Sequence, residues 1–565
     1  MMISSYSPLL FSLLFFLAHH SPCSASFPQN PKESDILQCL RRRSVPRRLL
    51  LSPISENFTS VLFSTVQNPR TLHHSPKPLL IVTATLESHI QSAVLCTRYL
   101  NLQLRVRSGG HDYEGLSYSS SSSFGPFVLL DLQTFRSIDV DIGSLTAWVQ
   151  TGATIGELYF AIAAASKTVA FSAGYCPTVG VGGHFGGGGT GPLMRSHGIA
   201  ADNIIDARIV NADGEILESK ESMGEDLFWA LRGGGAASFG VVISYKIRLV
   251  EVPATVTFFS KSKTLREGAT KSMAQWQKIA HKVDRRLLIN ANLEVVDVDK
   301  PNKTGQVTFL SLFLGEVSEL LPLINNNFPE LGLTAKDCME MSWIESIAFF
   351  PPGPGTRMPS TFLLNRRHEL SVPMVSFKAK CDIVTVPIEE NGWEEIWKFI
   401  LAAEDEQPFI LIEPLGGKMD EIPKKATPFP YRKGSLYTIL YITAWTKEGQ
   451  EETRKHFDWM QRFYELLTPF VSRNPRAAYL NIRDLDLGRN YIKEGRMSYK
   501  DAKIWGKKYF NGNFKRLTMV KSRVDRSNFF RYEQSIPPFT GLNSIPPFTG
   551  FNSTMTPETN GAIFY

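Results

Sequence analysis

Apolar and polar residues alternate along this chain with two textures. In the first part, short apolar runs are cut by glycine. Leu79 to Val82 is a continuous apolar run suited to a buried strand, and Ile90, Val94, Leu95 and Tyr99 recur at helical spacing. Leu102, Leu104 and Val106 alternate as a strand does. Together they predict a small α/β unit ending in "RSGGHDYEG", a glycine turn that carries His111. Further strands are predicted in "FVLLDL", "LTAWVQTGA" and "IIDARIVNADGEIL", the last a hairpin across Ala212-Asp213-Gly214. "ASFGVVISYKIRLVEVP" reads as one long strand stopped at Pro253. From Ala254 glycine thins. Helix-like "MAQWQKIAHKV" and "EEIWKFILAAEDE" alternate there with strands such as "QVTFLSLFLG", which predicts a second α/β domain to about residue 474. "FFPPGPGTRMP" reads as an irregular loop and "YKDAKIWGKKYF" as a helix. From Ser535 the chain repeats "SIPPFTGLN" as "SIPPFTGFN". Two copies are too few for a solenoid, so residues 539–565 read as a disordered extension.

Composition narrows the class. A chain of 565 residues exceeds one compact core, and 43% hydrophobic with 20% charged residues is ordinary for a globular protein. Its net charge of +7 is spread thinly. The cluster Arg41, Arg42, Arg43, Arg47 and Arg48 has no interleaved aromatics, so it reads as a solvated helix or loop and nucleic acid is excluded as a partner. At the amino terminus "PLLFSLLFFLA", followed by Ser24, Ala25 and Ser26, reads as a secretory signal over residues 1–26. It is too short to span a membrane, and no other segment is long and apolar enough. Once Cys23 leaves with the signal, Cys39, Cys96, Cys176, Cys338 and Cys381 remain, an odd number. In an oxidising compartment that implies a free thiol or one with another covalent duty. Sequons at Asn57, Asn302 and Asn552 agree with secretion.

The chemistry concentrates in two glycine-rich stretches, "RSGGHDYEG" and "AGYCPTVGVGGHFGGGGTG". Glycine lets backbone approach a ligand closely, and backbone N–H groups in such loops cradle anions. Gly186, Gly188 and Gly191 match a G-x-G-x-x-G pattern, but no helix with a ribose-binding acid follows. "LRGGGAASFGVV" is a third glycine-dense loop before a strand. Taken singly, a histidine after two glycines is a turn residue and a lone cysteine is a small hydrophobe. No second cysteine or histidine stands at ligand spacing from either, so no metal is expected. A Cys176–His184 hydrolase pair is disfavoured, because a nucleophile needs a stiff setting and polyglycine does not supply one.

The segments "SGGHDYEG", "AGYCPTVGVGGHFGGGG", "ADNIIDARIV", "GEDLFWALRGGGAASFGVV" and "NFFRYEQSIPP" resemble the plant berberine bridge enzyme-like flavoproteins, of the vanillyl-alcohol-oxidase type. The resemblance runs from about Cys39 to Pro538. It implies an α+β fold: a split PCMH-type FAD-binding domain (27–253, core about 74–252, with a C-terminal return at 475–538) and an α/β substrate domain (254–474) with an antiparallel sheet over the flavin. It implies FAD bound bicovalently to His111 and Cys176, and a disulfide Cys39–Cys96, leaving Cys338 and Cys381 unassigned. Arg107, Ser108, Gly109, Gly110, Val179, Gly180, Gly182, Gly183, His184, Gly240 and Val242 are the further cofactor-binding candidates. His184 matches a residue that stabilises the reduced, anionic flavin. Val179 stands at the family's oxygen gate, where valine resembles the oxidase members. The implied activity is oxidation of a plant phenolic or alkaloid by hydride transfer to flavin N5, with reoxidation by O₂ to H₂O₂. The implied partners are a small aromatic substrate and O₂, the chain is expected to be a monomer, and its expected location is the apoplast, another extracellular space or the vacuole.

The resemblance breaks at the catalytic base. Tyrosine is usual where this chain has Thr190; Lys-x-Gln or a glutamate is usual in "LYTILYITAW", where it has Thr438 and Leu440; tyrosine or histidine is usual where "NIRDLDLG" has Ile482. One reading keeps an oxidase that uses another group, with Tyr113, Tyr175, Glu413 and His368 as candidates. The bland alternative for Glu413 is a salt-bridged carboxylate at a strand end. A second reading keeps the flavin as scaffold for a non-redox cyclisation of the Diels–Alder type. A third is a secreted flavoprotein with little turnover.

Overall fold

The computed structural model describes residues 32–73, 75–299, 302–349, 358–366, 375–403, 406–492 and 496–539. The signal segment, the sequon at Asn552, His368 and all of the repeat tail from residue 540 lie outside these, as does most of the Pro/Gly loop. Phe539 is docked. Its N–H reaches Ser522 Oγ at 2.7 Å and its ring meets Tyr499 edge-on, because an aromatic side chain next to a prolines-and-glycine stretch still has apolar surface to bury.

The small α/β unit is built as its pattern predicts, from strand Leu80–Thr83, helix Glu87–Tyr99 and strand Gln103–Arg107. The helix buries Ile90, Ala93, Val94 and Thr97, while Tyr99 faces solvent, because small residues let it sit close to the sheet. Strand Phe127–Asp131 lies parallel between Leu80–Thr83 and Gln103–Arg107, and Leu50–Leu51 pairs antiparallel at the edge. A disulfide, Cys39–Cys96, ties helix Glu33–Arg42 to helix Glu87–Tyr99. A second, five-stranded antiparallel sheet follows, in which Val241–Arg248 lies between Thr146–Gln150 and Ile204–Val210. The hairpin is present: Val210 pairs with Ile216 across a turn in which Gly214 has φ 78°. The long strand before Pro253 is broken, and Val250–Glu251 turns away to pair with Val169–Ala170.

From Val256 the chain forms a seven-stranded antiparallel sheet. Period-2 alternation gives its strands two different faces. Ile289, Ala291, Phe309, Ile412, Ile439 and Tyr441 pack under helices that contribute Trp276, Trp393, Trp397 and Phe463. Leu288, Ala379, Cys381, Ile383, Leu440 and Ile442 face the other way, onto Tyr113, Tyr175, Met194 and Ile199 of the first half. The chain then returns: helix Phe514–Val524 packs Leu517 and Val520 into the core of the five-stranded sheet, and Phe529 and Phe530 join the core around Leu80.

Candidate functional site

The site begins where strand Gln103–Arg107 ends. Arg107, one of the cofactor-binding candidates, turns its side chain to protein partners. Its buried guanidinium is used by Asp131 and by the carbonyls of Val61 and Leu62, so it holds the root of the turn. After Ser108 the turn passes through Gly110 at φ 72° to His111. The loop of Cys176 is pinned directly against this turn. A Cβ on Gly109 would lie 2.2 Å from Gly180 N, and one on Gly180 equally close to Gly109 N, so only glycine fits at either position. Thr178 Oγ1 stands 3.0 Å from His111 Nε2. Ser108 Oγ and Gly182 N–H both reach the Thr151 carbonyl, and Thr151 Oγ1 donates to Val242 C=O. Gly240 lies just before, packed on Ile209. The glycine stretch is stiffer than its composition suggests, since residues Val181–Gly186 form a short helix.

Cys176 is open to solvent, yet burial of its surroundings, then Glu413, push its thiol upward. It therefore lies in a cleft rather than on a convex surface. Val179 is half-buried, and its carbonyl accepts from Ile155 N–H at 2.9 Å. Beside it Gly183 is exposed, with open space where a side chain would stand. Burial lowers His184 to about 4, so its imidazole is neutral. Nε2 accepts from Gly174 N–H at 2.9 Å, which leaves the proton on Nδ1. The returning segment locks this loop. Tyr479 OH accepts from Gly189 N–H at 2.7 Å and Asn481 Nδ2 at 2.8 Å, and Asn481 Nδ2 also reaches His184 C=O. Sequence reasoning singled out neither Tyr479 nor Asn481, although Asn481 opens the quoted "NIRDLDLG" and Tyr479 stands two residues before it.

The seven-stranded sheet roofs the cleft. Thr438, Leu440 and Ile482 lie on this apolar side, and Thr190 N–H turns to Tyr479 OH. Tyr113 packs edge-on against Phe377, centroids 5.5 Å apart, and burial, then Cys176, raise its phenol. Tyr175 OH accepts from Asn290 Nδ2 at 3.1 Å and donates to Glu413. The salt-bridged reading of Glu413 is overturned. No cation pairs with it among the described residues, its Oε1 is buried without a partner, and burial raises the carboxyl to about 7, the Tyr175 bond opposing.

Behind the sheet edge the charge is arranged differently. Lys378, between Glu114 and Asp484, also meets Asp486, while Lys380 bridges Asp484 and Asp486 at 2.8 Å each. Arg70 closes the chain on Glu114 at 2.9 Å. Asp112, next to His111, is held by Arg483 at 2.8 Å. This network joins the His111 turn, the seven-stranded sheet and the returning segment.

The donor set fits a large flat cofactor: an imidazole and a thiol on two clamped loops, a side-chain-free wall at Gly183, and a neutral N–H donor at His184. Among the described residues no three His, Cys, Asp or Glu side chains are placed to hold a metal ion, and no helix is long and apolar enough to cross a membrane. Residues 78–220 match the family described as FAD binding domain, and residues 478–537 the family described as Berberine and berberine like. The chain is 48% identical to Berberine bridge enzyme-like 23 of Arabidopsis thaliana over 518 residues, covering 90% of this chain and 94% of that one. It is 48% identical to tetrahydroberberine oxidase of Berberis wilsoniae over 532 residues, covering 94% and 98%. The structure superposes on that of Phl p 4, a grass pollen allergen with glucose dehydrogenase activity, with TM-score 0.83 and 42% identity over 90% of this chain and all of that one.

Proposed function

The chain belongs to the berberine bridge enzyme-like FAD oxidoreductases, and from that premise we propose that it oxidises a small ring-bearing plant metabolite, with FAD attached at both His111 and Cys176 and dioxygen as electron acceptor. The observation that carries this is the clamp between the two loops. Thr178 meets His111 across it, and Gly109 and Gly180 touch with no room for a side chain. Two loops fixed in this way present an imidazole and a thiol to one ligand without reorganisation when it binds. When bound, FAD supplies hydride acceptance and, on reoxidation by dioxygen, hydrogen peroxide. His184 holds a proton at Nδ1 in a neutral ring, the state suited to donating toward an anionic ligand edge. Val179 supports dioxygen as the acceptor by its resemblance to the oxidase members. The apolar roof of Leu440, Ile442 and Ile482 excludes water and suits a hydrophobic substrate. Secretion fits the Cys39–Cys96 disulfide and the exposed sequon at Asn57.

Tryptic peptide mass analysis of natively produced protein tests the attachment. One flavin should join the His111 and Cys176 peptides, and finding both unmodified contradicts the proposal. Anaerobic addition of alkaloids and phenolics tests the activity. An oxidase is bleached and returns peroxide in air, whereas a cyclase forms product with its flavin still oxidised.

A further inference from the structure

The polar groups missing from strand Tyr437–Trp445 reappear on its neighbours. Glu413 is the cross-strand partner of Thr438. One strand further, Ala291 pairs with Ile412, which sets Asn290 beside Glu413 on the same face. Tyr175 OH joins the two, accepting from Asn290 Nδ2 and donating to Glu413. That bond occupies the phenol's proton and leaves two acceptors unused. Glu413 Oε1 and Asn290 Oδ1 are both buried with no hydrogen-bond partner. Leaving such a group unpaired costs about 1–3 kcal/mol, so both favour a ligand that brings N–H or O–H. Among the described residues, the titratable groups that face Glu413 are Tyr113, Tyr175, Cys381 and, before any flavin is attached, Cys176, on the cleft loops and on strand Ser376–Val384. Burial raises all four, which keeps them neutral. Among the described residues, a cation entering here therefore meets one raised acid and no positively charged competitor.

Resting on the oxidase reading above, we propose that Glu413 is the recognition residue for a protonated amine nitrogen of the substrate, with Asn290 Oδ1 as its second acceptor. The substrate class is then cyclic amines, not polyols or neutral phenols. Pairing also permits a proton transfer that balances by itself: the N–H bond breaks, an O–H bond forms on Glu413, and the nitrogen keeps the electron pair and becomes neutral. The raised carboxyl suits this exchange near neutral pH, since it ionises as the cation arrives and accepts a proton readily.

Calorimetric titration of the flavin-loaded protein tests the assignment with probes that undergo no oxidation at nitrogen. 3-Phenylquinuclidine is a cage amine whose geometry forbids a C=N bond at the bridgehead, and 4-phenylcyclohexanol is a neutral comparison. At pH 7 the wild type should bind the amine more tightly than the alcohol. Glu413→Gln should weaken the amine by about tenfold or more, the scale of one lost charge-assisted hydrogen bond, and leave the alcohol within about twofold. Glu413→Asp, which keeps the charge, should retain the preference for the amine. Equal losses for amine and alcohol, no loss for the amine, or no amine binding by the wild type would each overturn the assignment. Anaerobic flavin bleaching by tetrahydroberberine is read separately. Amine binding that depends on Glu413 without bleaching by any amine leaves the recognition standing and removes the oxidase reading.

Discussion

Glu114 and Glu413 are both buried, 7% and 9% exposed, and they end in opposite states. Burial pushes each carboxyl upward. At Glu114, Lys378 and Arg70 outweigh it and bring the group to about 2. At Glu413 only a Tyr175 hydroxyl opposes it, and the group rests at about 7. Glu114 is one member of a saturated network of Arg70, Lys378 and Lys380 against Glu114, Asp484 and Asp486. Glu413 sits in a mostly apolar roof, with only the neutral Tyr175, Asn290 and Thr438 beside it. Desolvation is thus common to both regions, and partners decide the sign. The saturated region fastens three chain segments together, and the unsaturated one is left for a ligand to complete.

The largest effect should come from breaking the saturated side. Lys378→Met leaves Glu114 and Asp484 short of a cation in a buried site. The expected loss is about 3–5 kcal/mol, read as a lower unfolding midpoint. Glu114→Gln should show the pH signature of the same region. A depressed acid stabilises above its unfolded value and loses that contribution as pH falls. The gap between wild type and variant should therefore be full at pH 7 and close between 4.5 and about 2.

Glu413→Gln sharpens the contrast with the opposite slope. A raised acid costs stability as pH climbs from its ordinary 4.5 to about 7. Wild type and variant should be near equal at pH 4.5. By pH 8 the variant should be more stable by up to about 3 kcal/mol, measured as denaturant midpoints across that range. A smaller effect is expected at Tyr479, a buried neutral acceptor between the two extremes. Tyr479→Phe strands the N–H groups of Gly189 and Asn481, for an expected loss of about 1–3 kcal/mol and a more mobile Gly187–Thr190 loop in hydrogen exchange.

Much of this architecture was legible in the chain. Leu80–Thr83, the helix after it and the hairpin at Gly214 follow directly from periodicity and turn chemistry. The two glycine stretches marked the loops of His111 and Cys176. Other features were hidden for physical reasons. The partners of the Arg107 side chain left no local signal, since Asp131 and the carbonyls of Val61 and Leu62 meet it only in the fold. The Lys378 network joins residues 70, 114, 378 and 484, and such separations leave no local pattern. Asn290 reads as one polar residue in an apolar strand, and its place beside Glu413 depends on sheet register. For Glu413 itself, sequence offers a carboxylate at a strand end, and whether a cation stands nearby is a tertiary fact.

Infrared difference spectroscopy across a pH titration, with Glu413→Gln as the reference, tests that fact most directly. The account predicts a protonated carboxyl band, absent from the variant, that disappears with a midpoint of about 7. A midpoint near 4.5, or no band at all at pH 6, would show Glu413 ionised like any exposed glutamate and contradict the contrast on which the amine assignment stands.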